Sequence, residues 1–323
     1  MTAILLGDIG GTNARFALLS EGLIGPVDRH AVADYASVKD AIAAFLASRS
    51  GASGHGTSVR GAVLAVAAPV EGERSAFTNS RWVVDAVELR AAFGLERVLL
   101  VNDFEAVSSS LPHLGPKDVL RIGGGTPLAG APLAVLGPGT GLGVGALVPS
   151  GDGYAVVPTE GGHATLPTVT EREDAVLAEM RRRFGHVSAE RALSGMGLEN
   201  LYAAIAALDG AEVATRSAPD ITKLALEGAC PTCRAALAMF CALLGTVAGD
   251  LALMFRARGG VFVAGGIVPR FTALFADSEF RTRFEAKGRF RPYLQEIPTS
   301  VIVHPTVAFI GLSALARGHF DVA

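Results

Sequence analysis

Asp8 stands at the end of an apolar run, Leu5-Leu6-Gly7, directly before a turn of small residues, Gly10-Gly11-Thr12-Asn13. Glycines let backbone N–H groups approach an anion. A carboxylate beside such a nest repels the anion unless a cation lies between them. Mg²⁺ is that cation, because it is held by few carboxylates and keeps much of its water. The pattern therefore predicts a site for Mg-nucleotide phosphates, with Asp8 reaching the metal through water. A second small-residue turn, Gly137-Pro138-Gly139-Thr140-Gly141, is expected to grip the phosphates from the other side. A purely structural role, supplying the positive φ that tight hairpins need, competes with this reading.

Other residues suit an acceptor. Asn102-Asp103 follows the buried-strand pattern of residues 97–101. Either residue could cap a helix, or Asp103 could be a base facing a transferred phosphoryl group, since ligands gather at strand ends in α/β sheets. Glu160 and His163 flank two glycines in a loop. Glu190 is expected at a helix start that Ser188 could cap, where a glutamate also suits the dipole. Together these acceptors and one imidazole suit a polyol, because a carboxylate can accept from two neighbouring hydroxyls. Asn79 is a further candidate.

Several alternatives fail on their spacing. No G-x-x-x-x-G-K-[ST] occurs, so a P-loop is excluded. Gly141 to Ala146 fits a loosened dinucleotide fingerprint, but that fingerprint must open a helix and an alternating strand follows. Cys230-Pro-Thr-Cys233 lacks a second pair or a histidine at ligand spacing, so inert cysteines and no structural zinc are expected. Net charge is −3 and no broad basic surface points to nucleic acid or an acidic membrane. The uncharged stretch from Ala235 to Gly249 is short for a membrane span and suits a buried helix. The first residues lack the basic flank and length of a signal peptide, which together with the cysteines points to the cytoplasm.

The elements that must position these residues follow from periodicity. With 323 residues, half of them hydrophobic, the chain can bury a large core. Strands flank the first glycine turn and a third starts near Leu23. A helix follows Ser37, then a loop over 51–57 and a wholly apolar strand. A helix opens at Asp85 and closes at Gly94; another, after Asp103, stops at Pro112. The strand–turn–strand opening then recurs, with Gly137 matching Gly7. Longer helices are expected over 171–184, 198–208 and 231–256, a strand near 259–266, and a last helix over 309–317. The expectation is two related α/β units: a small one, 1–113, joined by the C-terminal helix of 304–323, and a large one, 114–303.

At this resolution of motifs, "GDIGGTNARFALL", "TNSRW", "VNDFEAVS", "GPGTGLGVGAL", "EGGH", "HVSAERALSG" and "GGVFVAGGIVPR" together resemble the bacterial glucokinases of the sugar kinase and actin-like ATPase superfamily. The resemblance runs in order over nearly the whole chain. It implies a two-domain ribonuclease-H-like fold with an interdomain cleft, and ATP-dependent phosphorylation of glucose at its 6-hydroxyl. It implies Asp103 as catalytic base, with Asn102, Glu160, His163 and Glu190 on the sugar. It also implies phosphates at Asp8–Thr12 and Gly137–Gly141, adenosine beside Gly265-Gly266, and a homodimer. A neighbouring group follows its E-x-G-H with a cysteine-rich zinc motif; "HATLPTVT" has none. A kinase of a related hexose, or a sugar sensor with weak catalysis, is the alternative.

Overall fold

The computed structural model describes residues 2–50, 58–77 and 80–320. The expected loop over 51–57 and the candidate Asn79 lie outside the described residues. The chain divides into two compact units, residues 1–114 with 305–323, and residues 115–304.

The first unit is a mixed sheet. Its elements are β1 (Thr2–Ile9), β2 (Asn13–Ser20), β3 (Leu23–Ile24), β4 (Asp28–Ala31), α1 (Val38–Ser50), β5 (Ser58–Val66), β6 (Arg74–Ala76), β7 (Val83–Asp85), α2 (Ala86–Phe93), β8 (Arg97–Asn102) and α3 (Asp103–Ser110). The strand order is β3-β2-β1-β5-β8, with β4 also on β2. The β1–β2 hairpin is antiparallel, and β1, β5 and β8 are parallel. Alternate side chains explain why these strands are apolar throughout. Leu5, Ile9, Leu64 and Val66 join one core with Phe45 and Leu89. Ile4, Leu6, Val63 and Ala65 join another with Phe309 and Leu312. Both faces are covered, as parallel strands require. Leu23 and Ile24, by contrast, are exposed and make a strand of two residues; β4 was not foreseen.

The second unit repeats the plan. It holds β9 (Val119–Gly123), β10 (Leu133–Pro138), β11 (Leu142–Ser150), β12 (Gly153–Pro158), α4 (Glu171–Phe184), α5 (Gly195–Leu208), α6 (Ala218–Leu226), α7 (Pro231–Met254), β13 (Gly260–Val263), α8 (Thr272–Ala276), α9 (Phe280–Glu285), α10 (Arg291–Gln295) and β14 (Thr299–Ile302). Its sheet runs β12-β11-β10-β13-β14-β9, so hairpin β10–β11 takes the place that β1–β2 has in the first. Helix α7 passes the length and composition test for a membrane span, yet 72% of its most apolar window is buried in the unit. It forms core with β10, β13, α5 and α9. A buried fork also ties this unit: Arg283 donates to both Glu173 oxygens, at 2.6 and 3.0 Å, and to Thr246 Oγ1 at 3.0 Å. The C-terminal helix α11 (Val307–His319) packs on α3 and β1 of the first unit.

Candidate active site

The first hairpin pairs Asp8 with Arg15 across the ladder. Arg15 Nη1 donates to Asp8 Oδ2 at 3.0 Å. Burial at the strand end pushes the Asp8 carboxyl above its ordinary value, while the charge and hydrogen bond of Arg15 pull it back. The Gly10 N–H donates to the Asn13 carbonyl at 2.9 Å, and the Thr12 carbonyl accepts from Val32 N–H. The Gly11 and Thr12 amides remain as the donors of the turn.

The second turn has the same logic. The Gly139 N–H donates to the Gly141 carbonyl at 2.8 Å, which leaves the amides of Thr140 and Gly141. Ser194 caps α5, and the Gly195 N–H donates to the Gly139 carbonyl at 2.9 Å, so the turn is pinned to a helix N-terminus. Gly265 lies against the same strand end. It has φ +84°, and a Cβ there would stand 2.3 Å from the Pro138 carbonyl oxygen. Both facts require glycine.

The glycines of the turns themselves tell a different story. Gly10, Gly11, Gly137, Gly139 and Gly141 are not among the positive-φ residues. The hairpin-conformation reading therefore fails. A Cβ on Gly139 would meet nothing within 4 Å, and one on Gly10 only the Asn13 carbonyl at 3.4 Å. The protein alone does not need glycine at these two positions. A small residue there leaves room for a ligand to approach the backbone. Gly141 is different again, because its Cβ would stand 2.4 Å from Glu190 Oε2.

Helix α3 separates the two roles that the sequence left open at its start. Asn102 is the N-cap, and its Oδ1 accepts from Phe104 N–H at 2.9 Å. Glu105 takes a hydrogen bond from the Asn102 backbone, the return half of a capping box. Asp103 is the first helical residue, and its Oδ1 also accepts from Phe104 N–H, at 2.9 Å. With the cap supplied by its neighbour, the Asp103 carboxylate is redundant for starting the helix.

Glu160, His163 and Glu190 are brought together in the second unit. His163 Nε2 is 3.9 Å from Glu160 Oε2, and its Nδ1 is 4.0 Å from Glu190 Oε1. These separations suit charge proximity and exceed hydrogen-bond length. The side chains of Glu160 and His163 are 79% and 62% exposed, so they can reach a solute. Gly162 permits the arrangement, since a Cβ there would stand 2.0 Å from the Leu142 carbonyl oxygen. Glu190 corrects the sequence reading. It is in a turn, not a helix start; Ala189 and Glu190 give their N–H groups to the carbonyls of Ala164 and Gly162, and the helix begins only at Gly195. Its Oε2 accepts from Leu142 N–H at 2.9 Å, so Glu190 braces the second turn as well as facing His163.

Among the described residues no group of three or more His, Cys, Asp or Glu side chains is arranged to hold a metal. A protein cage for a cation is thus absent from them. One half-buried carboxylate beside open backbone amides fits an ion that keeps its water and shares phosphate oxygens.

Two sheets of one topology, each led by a small-residue hairpin, define a two-unit α/β protein of the actin-like ATPase fold. The glucokinase family model matches residues 5–319. A glucokinase from Paramagnetospirillum magneticum is 52% identical over 316 residues, covering 97% of each chain. One from Nitrobacter hamburgensis is 45% identical over 316 residues, covering 98% of each. The crystal structure of a glucokinase from an Antarctic psychrotroph is 35% identical, with a TM-score of 0.89 over 98% of this chain and 99% of that one. The chain belongs to the glucokinase family.

Proposed function

We propose that this chain transfers the γ-phosphoryl group of ATP to the 6-hydroxyl of D-glucose, giving ADP and glucose 6-phosphate. The observation that carries the nucleotide half is the open space over Gly139, together with room for a Cβ at Gly10; neither backbone conformation calls for glycine. Family membership, with relatives named glucokinase at up to 52% identity, supports the sugar.

In this reading the amides of Gly11, Thr12, Thr140 and Gly141 bind phosphate oxygens, with Asn13 and Gly137 flanking the turns. Gly265 and Gly266 border the adenosine. Asp8 holds Mg²⁺ through water, and the ion neutralises charge on the phosphates when bound. Phosphoryl transfer asks the protein mainly for position and charge. Asp103 orients the 6-hydroxyl and accepts its proton as the bond to phosphorus forms. Asn79, Asn102, Glu160, His163 and Glu190 hold the remaining hydroxyls. The Asn102 Oδ1 already serves Phe104, so its amide nitrogen is the group it offers a sugar. The family resemblance also supports a cytoplasmic homodimer.

The test is ADP release, coupled to a colour reaction, over a panel of hexoses at fixed ATP and Mg²⁺. Glucose is expected to give the highest kcat/KM. Release of ADP that no hexose stimulates would leave a sugar sensor, and a higher kcat/KM for another hexose would reassign the substrate.

A further inference from the structure

Cys230, Cys233 and Arg216 form a cluster in the second unit that the proposed reaction does not use. Cys230 is the N-cap of α7, Pro231 is the first helical residue, and Cys233 is in the first turn. The Cys233 N–H donates to Cys230 Sγ at 3.4 Å. As a cap, sulfur is a weak acceptor, and α2, α4, α5 and α6 use Asp85, Thr170, Ser194 and Ser217 instead. Cys230 is partly exposed and Cys233 is buried. A thiol that solvent reaches therefore lies directly outside one that solvent does not.

The surroundings divide the labour between the two sulfurs. Arg216 is fixed nearby, its Nε donating to Tyr202 Oη at 3.2 Å, and Tyr202 Oη donates in turn to the Ala214 carbonyl. Burial opposes a thiolate at Cys230. The hydrogen bond from Cys233, the amides of Cys233 and Thr232 and the charge of Arg216 outweigh it, and the thiol is held below its ordinary value. Burial, and then the shared hydrogen bond with Cys230, push Cys233 up to about 12. Cys241, deeper in the same helix, is also pushed up to about 12 by burial.

We propose that Cys230 and Cys233 are a reversible dithiol–disulfide site, in which Cys230 attacks a low-molecular-weight disulfide and Cys233 resolves the product. The Cys230 thiolate forms a bond to one sulfur of the small disulfide, and the other sulfur leaves as a thiolate. The Cys233 thiol then gives its proton to solvent and attacks Cys230 Sγ, expelling the second small thiolate. One protein dithiol and one small disulfide become one protein disulfide and two small thiols, so electrons balance. The N-cap and the first helical turn are adjacent in space, which a disulfide requires. The site is independent of the proposed kinase reaction.

The experiment incubates the reduced, folded protein with oxidised glutathione, quenches in acid, alkylates the unfolded chain and maps the cysteine peptides by mass. The expected wild-type product is a Cys230–Cys233 disulfide with Cys241 fully alkylated. Cys233→Ser should trap glutathione on Cys230, and Cys230→Ser should lose all reaction at Cys233. Arg216→Gln should slow the first step, read from the rate of mixed-disulfide capture in the Cys233→Ser background. Full alkylation of all three wild-type cysteines overturns the proposal. So does a folded Cys233→Ser variant that captures no glutathione, or a Cys230→Ser variant in which Cys233 still reacts.

Discussion

Gly139→Ala separates what the fold needs from what a ligand needs. The added Cβ meets nothing within 4 Å, and the backbone is not in the left-handed region. Folding should therefore tolerate the change or gain slightly, about 0.4–1 kcal/mol, from a stiffer unfolded chain. For a unit of this size that moves Tm by less than about 4 °C. If phosphates lie over this turn, as proposed, the methyl group takes space that they need. Losing one hydrogen bond to a charged phosphate costs about 1.5–3 kcal/mol. The KM for ATP should then rise by roughly 10- to 150-fold, since each 1.4 kcal/mol is tenfold. The control is Gly265→Ala, where φ is +84° and the Cβ would stand 2.3 Å from the Pro138 carbonyl oxygen. A non-glycine residue forced into such a conformation costs about 1–3 kcal/mol before the clash is counted, so this variant should lose Tm. Steady-state kinetics with varied ATP and a thermal melt decide the matter. A Gly139→Ala enzyme with unchanged KM for ATP would refute the placement of phosphates over this turn, and a large fall in its Tm would refute the claim that the space is open.

Three further outcomes are expected. Asp103→Asn should lower kcat by about 10²–10⁴-fold, the range for a lost general base, with Tm nearly unchanged because Asn102 supplies the cap; turnover within about tenfold of wild type, below that range, would remove Asp103 from catalysis. Glu160→Gln should raise the KM for glucose alone, whereas Glu190→Gln should raise the KM for both substrates, because Glu190 Oε2 also holds Leu142 N–H beside the second turn; identical kinetic effects of the two variants would deny that brace. Glu173→Gln leaves Arg283 buried without its counter-charge, at about 3–5 kcal/mol. Burial opposes the Glu173 carboxylate, but hydrogen bonds from Arg283 and from backbone amides, with the charge of Arg283, outweigh it and hold the carboxyl below its ordinary value. A depressed folded value gives stability that is full above the ordinary carboxylate range and is lost as pH falls through the folded value. Melts from about pH 7 down to about pH 3 should show a steeper loss of Tm in the wild type than in Glu173→Gln, and parallel slopes would discount the pair.

Local signals were legible wherever they agreed with tertiary contacts. Asp85 and Gly94 bound α2 as cap and left-handed C-cap, and both hairpins follow from a small-residue turn between apolar runs. The signals of α6 were present but unread: Ser217 caps it, Pro219 is in its first turn and Asp220 shares the cap's hydroxyl. Strand β12 alternates between exposed and half-buried residues, so it offers little apolar pattern to read. Glu190 shows the opposite failure. Its neighbourhood reads as helix, but the carbonyls of Gly162 and Ala164, in and just after a 3-10 turn, claim the amides of residues 190 and 189. The Asp8–Arg15 pair needed only one more step, since strand alternation places those two residues opposite each other once the hairpin is drawn.

The repeat explains why the proposed nucleotide residues are easier to read than the sugar residues. In each unit the same strand positions build a hairpin next to two parallel strands. Each strand gives way to its turn at a glycine, Gly10 after β1 and Gly139 after β10, so the small-residue turn is part of the repeated plan. The acid chemistry does not repeat. Asp8 is the penultimate residue of β1, where β10 has Gly137; Asp103 follows β8, while Val303 and His304 follow β14. Glu160, His163 and Glu190 lie between β12 and α5, a segment with no counterpart in the first unit. Their convergence depends on three long-range backbone bonds, from Ala189 to Ala164, from Glu190 to Gly162 and from Gly195 to Gly139. No local pattern encodes such bonds. The turns are thus a property of the shared architecture, and the residues proposed for the sugar belong to what each half added to it.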